Sequence, residues 1–277
     1  MSKIWSAIGS LILAWVPVGA LDAAVILDWT EWGSSFVDGQ SEWQSYVNAD
    51  GVEIRYRNDM IDNNNGTRGN RFLFGTPAVV AAGGSGGRPG GGPFQPANGT
   101  GGAADQHLSI SQQAGVGNGS QHRFQFGEGL DGASITIWDI DSSLARGRSF
   151  VDQVQLTAYD SSGNAIAPNR AIVTNSNVVT QVSADTWRSI PGAQSDSNST
   201  DGNLVAFFDA PDITELRIVF LNADLGLGIP PGFGTQSIGI YDVSETGVTL
   251  PTLIPEPGTV ALGIFAGALG LLRRRRR

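Results

Sequence analysis

The sequence predicts an all-β protein, an antiparallel β-sandwich and, among sandwiches, a jelly roll. Short runs of β-branched and aromatic residues recur between clusters of Gly, Asn, Asp and Pro, which is the pattern of strands joined by turns. No central stretch keeps a helical period over three turns, and the runs show no internal repeat. About ten non-repeating strands of this kind are typical of two packed sheets.

The predicted strands are 25–29, 52–56, 108–111, 123–126, 134–138, 153–159, 177–182, 204–208, 215–220 and 237–243. In the last two runs, apolar residues alternate as they do in a strand with one face on the core. One such face carries Leu216, Ile218 and Phe220. The other carries Ile238 and Ile240, with Val243 joining after a local irregularity. We expect these faces to form the sandwich interior.

The N-terminus predicts a secretory signal peptide over residues 1–20. Lys3 gives a minimal positive start, and the apolar stretch 4–18 is followed by small residues. Cleavage after Ala20 is the preferred prediction, and Ala23 is a second candidate end. The exported domain is then expected over 21–245.

A glycine-rich segment interrupts this domain. Residues 83–102 contain ten glycines and three prolines, so they offer little apolar surface to offset the entropy of ordering. We expect a mobile surface loop there.

Two aspartates are a candidate calcium site. The apolar pattern slips by one residue between Ile137 and Trp138, which a β-bulge would explain. Such a bulge would leave Asp139 and Asp141 on one side, where two hard oxygen donors could join loop carbonyls around a calcium ion. The alternative is a pair of solvated or turn-capping aspartates with no metal.

Other catalytic or metal chemistry finds little support in the sequence. The chain has no cysteine, so neither disulfides nor thiol chemistry are expected. His107 and His122 are the two histidines, and neither has the spacing of a metal ligand. We therefore expect a non-enzymatic protein without a resident cofactor, although sequence alone leaves a pair of glycosidase carboxylates open.

Tryptophans are the candidate ligand contacts, because planar rings stack on the faces of sugars. The candidates are Trp29, Trp32, Trp43 and Trp187. Each of them could instead belong to the core, as most tryptophans do.

The C-terminus predicts a short membrane segment. After a predicted linker (246–254) come Pro255, Glu256 and Pro257, an apolar run over 260–272, and the block Arg273, Arg274, Arg275, Arg276 and Arg277. As a helix the apolar run would span about 20 Å, against a hydrocarbon core of about 30 Å. The arginines would stay on the cytoplasmic side. These lengths and charges predict a temporary hold in the membrane.

This order of Pro-Glu-Pro motif, apolar helix and terminal arginines resembles the PEP-CTERM sorting signal, here over 255–277. The resemblance implies export by a Gram-negative bacterium, usually one that makes exopolysaccharide. It also implies processing by exosortase, a membrane cysteine peptidase, with Pro255, Glu256 and Pro257 as the recognition residues. The alternative is a membrane anchor that happens to follow a proline turn.

A second resemblance concerns the middle of the chain. Residues 138–143 and 152–164, with the motifs Asp-Ile-Asp and Tyr-Asp-Ser-Ser-Gly-Asn, look like paired strands of jelly-roll domains in bacterial surface proteins. This resemblance implies a fold and says little about function.

Removal of both ends would leave an acidic domain. Lysine plus arginine would fall from 17 to 11 and the acids from 26 to 25, for a net charge of about −14. Nucleic acid and anionic lipid are unexpected partners for such a surface. The sequence thus predicts a protein of the cell surface or extracellular matrix that meets exosortase, the membrane and exopolysaccharide. The alternative is a carbohydrate-binding module or carbohydrate-active enzyme exported by the same route.

Overall fold

The structure, a computed structural model, describes residues 24–62, 70–73, 76–81, 106–144, 149–194, 200–224 and 235–247. The predicted signal peptide, the glycine-rich segment and the predicted sorting signal lie outside these residues. No helix within the described part is long and apolar enough to cross a membrane.

The described residues form seventeen strands and one short helix. They are β1 (Ala24–Leu27), α1 (Trp29–Trp32), β2 (Gln44–Val47), β3 (Glu53–Ile61), β4 (Arg71–Phe72), β5 (Ala78–Ala81), β6 (Gln106–Gln113), β7 (Gly119–Leu130), β8 (Ala133–Trp138), β9 (Ser142–Ser143), β10 (Phe150–Asp160), β11 (Ala165–Ile166), β12 (Arg170–Val173), β13 (Val179–Ser183), β14 (Thr186–Ser189), β15 (Leu204–Phe208), β16 (Ile213–Asn222) and β17 (Thr235–Glu245).

The strands form two antiparallel sheets. The first sheet has the order β12-β15-β8-β17-β6-β4, with β1 paired to β17 and β5 paired to β6. The second sheet has the order β13-β14-β10-β16-β7-β3-β2, with β9 and β11 paired to β10. One hydrophobic core contains residues of both sheets, so the all-β sandwich expected from the sequence is confirmed.

The alternating runs lie as predicted. Leu216, Ile218 and Phe220 of β16 are buried in the core, while the residues between them face outward. On β17 the register against β8 shifts between Ile240 and Val243, which is the irregularity expected from the sequence. Both strands therefore place their apolar faces in the interior.

The first predicted strand is too long at its C-terminal end. β1 ends at Leu27, and the next turn of chain is helical because the side chain of Asp28 accepts a hydrogen bond from the Thr30 amide at 2.7 Å. Helical spacing brings the rings of Trp29 and Trp32 to one face, where they stack with 5.4 Å between centroids. A strand would have placed two residues three apart on opposite faces.

The predicted bulge on β8 is wrong. Ile137 and Trp138 pair without interruption with Ile240 and Gly239 of β17. The strand then ends because Asp139 adopts a left-handed backbone conformation, with φ of 65°. The change of direction, rather than an extra residue in the ladder, brings Ile140 into the core.

Candidate functional site

Three of the four candidate tryptophans belong to the core. Trp29 is fully buried, and Trp32 and Trp187 are each 1% exposed, so none of these rings can stack on a ligand. Trp43, which precedes β2, is half-buried and lies beside the outer face of the second sheet.

That outer face carries a row of arginines in register. Arg57 of β3 lies opposite Arg123 of β7, and Arg123 lies opposite Arg217 of β16. Arg55, two residues before Arg57, projects from the same face of β3. We call Arg55, Arg57, Arg123 and Arg217 the arginine patch.

Glu215 holds two members of the patch in place. Its carboxylate accepts hydrogen bonds from Arg123, through Nε at 3.1 Å and Nη2 at 2.7 Å, and from the same two atoms of Arg217 at the same distances. Gln125 donates a further bond at 3.1 Å. Burial alone would raise the pKa of Glu215, but these donors outweigh it and hold the pKa below its usual value.

Aromatic rings support the same guanidinium groups. The guanidinium carbons of Arg55 and Arg123 lie 4.8 and 5.5 Å from the centre of the Trp43 ring. The guanidinium carbon of Arg217 lies 4.3 Å from the centre of the Tyr159 ring. Cation–π contacts of this kind are attractive and fix where the charge sits.

An open depression of about 280 Å³ adjoins the patch. Its lining includes the side chains of Glu53, Arg55, Gln125, Thr214 and Glu215, from strands β3, β7 and β16. Phe126 and Gly127 complete the lining. Charged and amide side chains beside an apolar ring, all on regular strands, suit the binding of a hydroxyl-rich or charged ligand.

A second polar assembly lies inside the sandwich. The hydroxyl of Tyr56 is 2.8 Å from Nδ1 of His122, and Nε2 of His122 is 2.9 Å from Oγ of Ser120. Ser120 donates its own hydrogen to Oε1 of Gln112 at 2.7 Å. His122 must therefore donate through Nε2 and accept from Tyr56 through Nδ1. This neutral form agrees with the pKa of His122, which burial lowers to about 3.

The assembly continues from Gln112 of the first sheet, through its neighbour Gln236, to Asp152 of the second sheet. Nε2 of Gln112 approaches Oε1 of Gln236 at 3.5 Å, and Nε2 of Gln236 donates to Oδ1 of Asp152 at 2.8 Å. Asp152 is fully buried; burial first and the nearby Asp141 second raise the pKa of its carboxyl well above the usual value. We call these six side chains, from Tyr56 to Asp152, the interior chain.

The predicted calcium ligands lie at the end of the interior chain. Asp139 and Asp141 both raise the pKa of Asp152 through their charge, and the amide of Asp141 donates to Oδ2 of Asp152 at 3.3 Å. The structure thus brings a third carboxyl to the predicted pair. Across the described ranges, no three His, Asp or Glu side chains are arranged to hold a metal ion. Calcium binding by Asp139 and Asp141 stays a prediction.

The remaining predicted site residues, Pro255 to Pro257 and Arg273 to Arg277, lie outside the described part of the chain. Sequence reasoning did not find the arginine patch, because its members come from three strands and meet only through register. The one available signal was that Arg55 and Arg57 stand two positions apart in a strand-like run, and therefore on the same face.

No family model and no curated protein matches the chain. Among solved structures, a "putative sugar binding protein" from Bacteroides thetaiotaomicron is similar, with 9% identity over 68% of this chain and 86% of that one and a TM-score of 0.30. The C-terminal family 22 carbohydrate-binding module of Clostridium thermocellum Xyn10B has 14% identity, a TM-score of 0.15 and coverage of 60% and 93%. Similarities this weak establish neither the fold nor the ligand of this chain.

Proposed function

We propose that the chain is an exported, non-enzymatic surface protein whose jelly-roll sandwich binds glycan on the outer face of the second sheet. The observation that carries the proposal is this outer face itself. It places amide, guanidinium and carboxylate groups on regular strands, around a half-buried tryptophan and an open depression. Such groups form the directional hydrogen bonds that sugar hydroxyls need.

The electrostatics of the face favour binding over hydrolysis. A glycosidase needs a carboxyl group whose pKa is raised, so that it can donate a proton to the leaving oxygen. Glu215 lines the depression, and its pKa is shifted the opposite way by two arginines. Asp152 does have a raised pKa, but it is fully buried in the sandwich interior.

Binding is tested with the full-length chain on an array of neutral and acidic glycans, followed by an assay for new reducing ends on the glycans it retains. Trp43→Ala should abolish retention because it removes the ring that supports two guanidinium groups. Phe207→Ala is the matched control, since Phe207 supports Arg170 on the first sheet in the same way, at 3.8 Å. The proposal would be overturned if the wild-type chain retained no glycan, or if it released reducing ends from a glycan that it retained.

The route to the surface is proposed from the terminal sequences. A signal peptide would direct export, the apolar run before Arg273 would hold the tail in the membrane, and exosortase would act at Pro255, Glu256 and Pro257. Intact mass spectrometry of surface-extracted protein should show a chain that lacks residues beyond about Glu256. A mass that still includes Arg277 would contradict the sorting proposal and leave glycan binding untouched.

A further inference from the structure

The arginine patch is costly for the fold, which indicates a use beyond stability. Like charges directly opposite each other on adjacent strands destabilise a sheet, and three arginines stand in one such row. Two carboxylates reduce the repulsion: Asp59 pairs with Arg57 at 2.9 Å, and Glu215 pairs with Arg123 and Arg217. Three of the four guanidinium groups thus share two carboxylates, and Glu53 is a third acid in the lining of the depression.

Hydrogen-bond donors are left over in the patch. The guanidinium of Arg55 donates no hydrogen bond to any residue in the described part of the chain, and its carbon lies 4.8 Å from the centre of the Trp43 ring. Arg123 and Arg217 each engage Glu215 through Nε and Nη2 alone. They keep 28% and 31% of their side chains exposed. Their remaining N–H groups can meet an incoming ligand.

These donors are also pre-organised. Arg123 is held by Glu215 on one side and by the Trp43 ring on another, and Arg217 is held by Glu215 and the Tyr159 ring. A side chain that is already fixed loses little rotamer entropy on binding. A planar guanidinium with free donors is suited to a carboxylate or a similar planar or tetrahedral oxyanion, which it can meet through two parallel hydrogen bonds.

We propose that the glycan bound at this face is acidic: a polysaccharide that carries carboxylate or sulfate groups, gripped by Arg55, Arg123 and Arg217. This inference rests on the proposed glycan binding and names its ligand class. The row from Arg57 to Arg217 crosses two strand spacings, about 10 Å, so it meets a short stretch of a saccharide chain.

Charge density distinguishes this ligand from nucleic acid. Duplex DNA carries one negative charge per about 1.7 Å and would extend past the patch onto a protein whose net charge is −9. An acidic polysaccharide carries its charges one sugar or more apart, and its neutral hydroxyls can contact the rest of the face. A small patch on an acidic protein therefore fits the sparsely charged polymer.

The experiment uses the full-length chain and purified alginate, a polymer of uronic acids, with a neutral glucan as the comparison. Arg123→Gln and Arg217→Gln should each weaken alginate binding by about tenfold or more, since each removes charge-assisted hydrogen bonds. Arg170→Gln is the matched control, because it makes the same change in net charge on the first sheet, over Phe207. Arg170→Gln should leave the affinity for alginate within about twofold of the wild-type value. Losing one positive charge far from the patch changes only long-range attraction, which salt screens.

A lysine variant separates charge from geometry. Arg123→Lys keeps the positive charge but loses the planar fork, so affinity should fall while binding stays sensitive to salt. Raising sodium chloride should weaken alginate binding by the wild-type chain and leave any neutral-glucan binding nearly unchanged. Cooperative unfolding, measured for every variant, shows that the fold is intact.

Each outcome decides a different question. Retention of neutral glucan alone, without salt dependence, overturns the acidic-ligand inference and leaves the proposed function standing. Retention of no glycan overturns both. Equal affinity for alginate and duplex DNA overturns the choice of polysaccharide. Equal loss of binding in Arg170→Gln and Arg123→Gln overturns the assignment to this face.

Discussion

Neighbouring residues of strand β7 belong to the two polar assemblies of the molecule. Ser120 and His122 point inward and join the interior chain, while Arg123 and Gln125 point outward and join the arginine patch. Inside, the members are fully buried and none of their side-chain polar atoms lacks a hydrogen-bond partner. Outside, like charges are crowded together and donors are left over. Polar residues of one strand thus satisfy each other inside the fold on one face, while on the other face they leave the donors with which the proposed ligand would bind.

Breaking the interior chain should have the largest effect. Gln236→Leu removes the donor to Oδ1 of Asp152, which leaves that buried carboxyl oxygen without a partner. It also removes one of the two acceptors of Gln112 Nε2, which keeps its bond to the Phe220 carbonyl at 3.2 Å. We expect a loss of about 3 kcal/mol in the free energy of unfolding, measured by urea denaturation. Gln155→Leu on the outer face removes a bond to Asp185 that water can replace, and should cost under about 1 kcal/mol.

Losses of the same size in Gln236→Leu and Gln155→Leu would contradict the distinction between the two faces.

Titration should separate the two titratable members of the interior chain whose pKa values shift in opposite directions, His122 and Asp152. The pKa of His122 falls from 6.5 to about 3 on folding, so its contribution to stability is present above pH 6.5 and lost as pH falls. The pKa of Asp152 rises above 3.8, so its contribution is full below that pH and lost as pH rises through the folded value. Where the windows overlap, between about pH 4 and 6, the two slopes oppose each other.

Single variants expose each slope. Asp152→Asn should make stability fall with acidification by up to about 1.4 kcal/mol per pH unit, and His122→Gln should make it rise by a similar amount. Urea midpoints at pH 4, 5 and 6 measure both. The wild-type chain is the reference, because it contains both groups. If the stability of both variants changed with pH in the same direction, the opposite pKa shifts assigned to His122 and Asp152 would be wrong.

Removing the central acid of the patch should cost less. Glu215→Gln leaves Arg123 and Arg217 without a shared carboxylate, and we expect a loss of about 1 kcal/mol at low salt. The loss should shrink in 0.5 M sodium chloride, where the screening length is about 4–5 Å, because the partly exposed guanidinium groups are then screened. Thermal melts of Glu215→Gln and the wild type at both salt concentrations test this, and a salt-independent loss would place Glu215 among the fold-specifying groups instead.

Calcium should have the smallest effect. If Asp139 and Asp141 bind the ion, calcium at a concentration equal to its Kd adds about 0.4 kcal/mol of stability by mass action. Melting curves in millimolar calcium and in EDTA measure the difference, with Asp139→Asn as the control that should abolish it. Identical curves for the wild type would remove the calcium hypothesis.

The strands could be predicted wherever one apolar face and two turn signals defined them. The prediction 204–208 matches β15, and 215–220 lies within β16, because alternation alone determines which residues face the core. Four-residue elements such as α1 and β14 have no period to detect. α1 forms because Asp28 caps it and the core accepts two stacked indoles, which is tertiary information.

Neither polar assembly could be predicted, for the same physical reason. Gln112 and Gln236 look like surface residues in sequence, and they are buried only because they lie opposite each other on β6 and β17. The arginine row likewise depends on the register between β3, β7 and β16. Side-chain hydrogen bonds between residues 66 to 124 positions apart leave no local pattern.

The patch consists of arginine alone, and the sequence between Lys3 and the terminal Arg273 contains no lysine at all. A primary amine condenses with the open-chain aldehyde at the reducing end of a sugar and is slowly consumed by glycation. A guanidinium stays protonated at any pH that a cell surface meets and resists that condensation. On the proposed glycan-bound surface, a cationic face built of arginine alone would therefore keep its charge over long contact with reducing sugars.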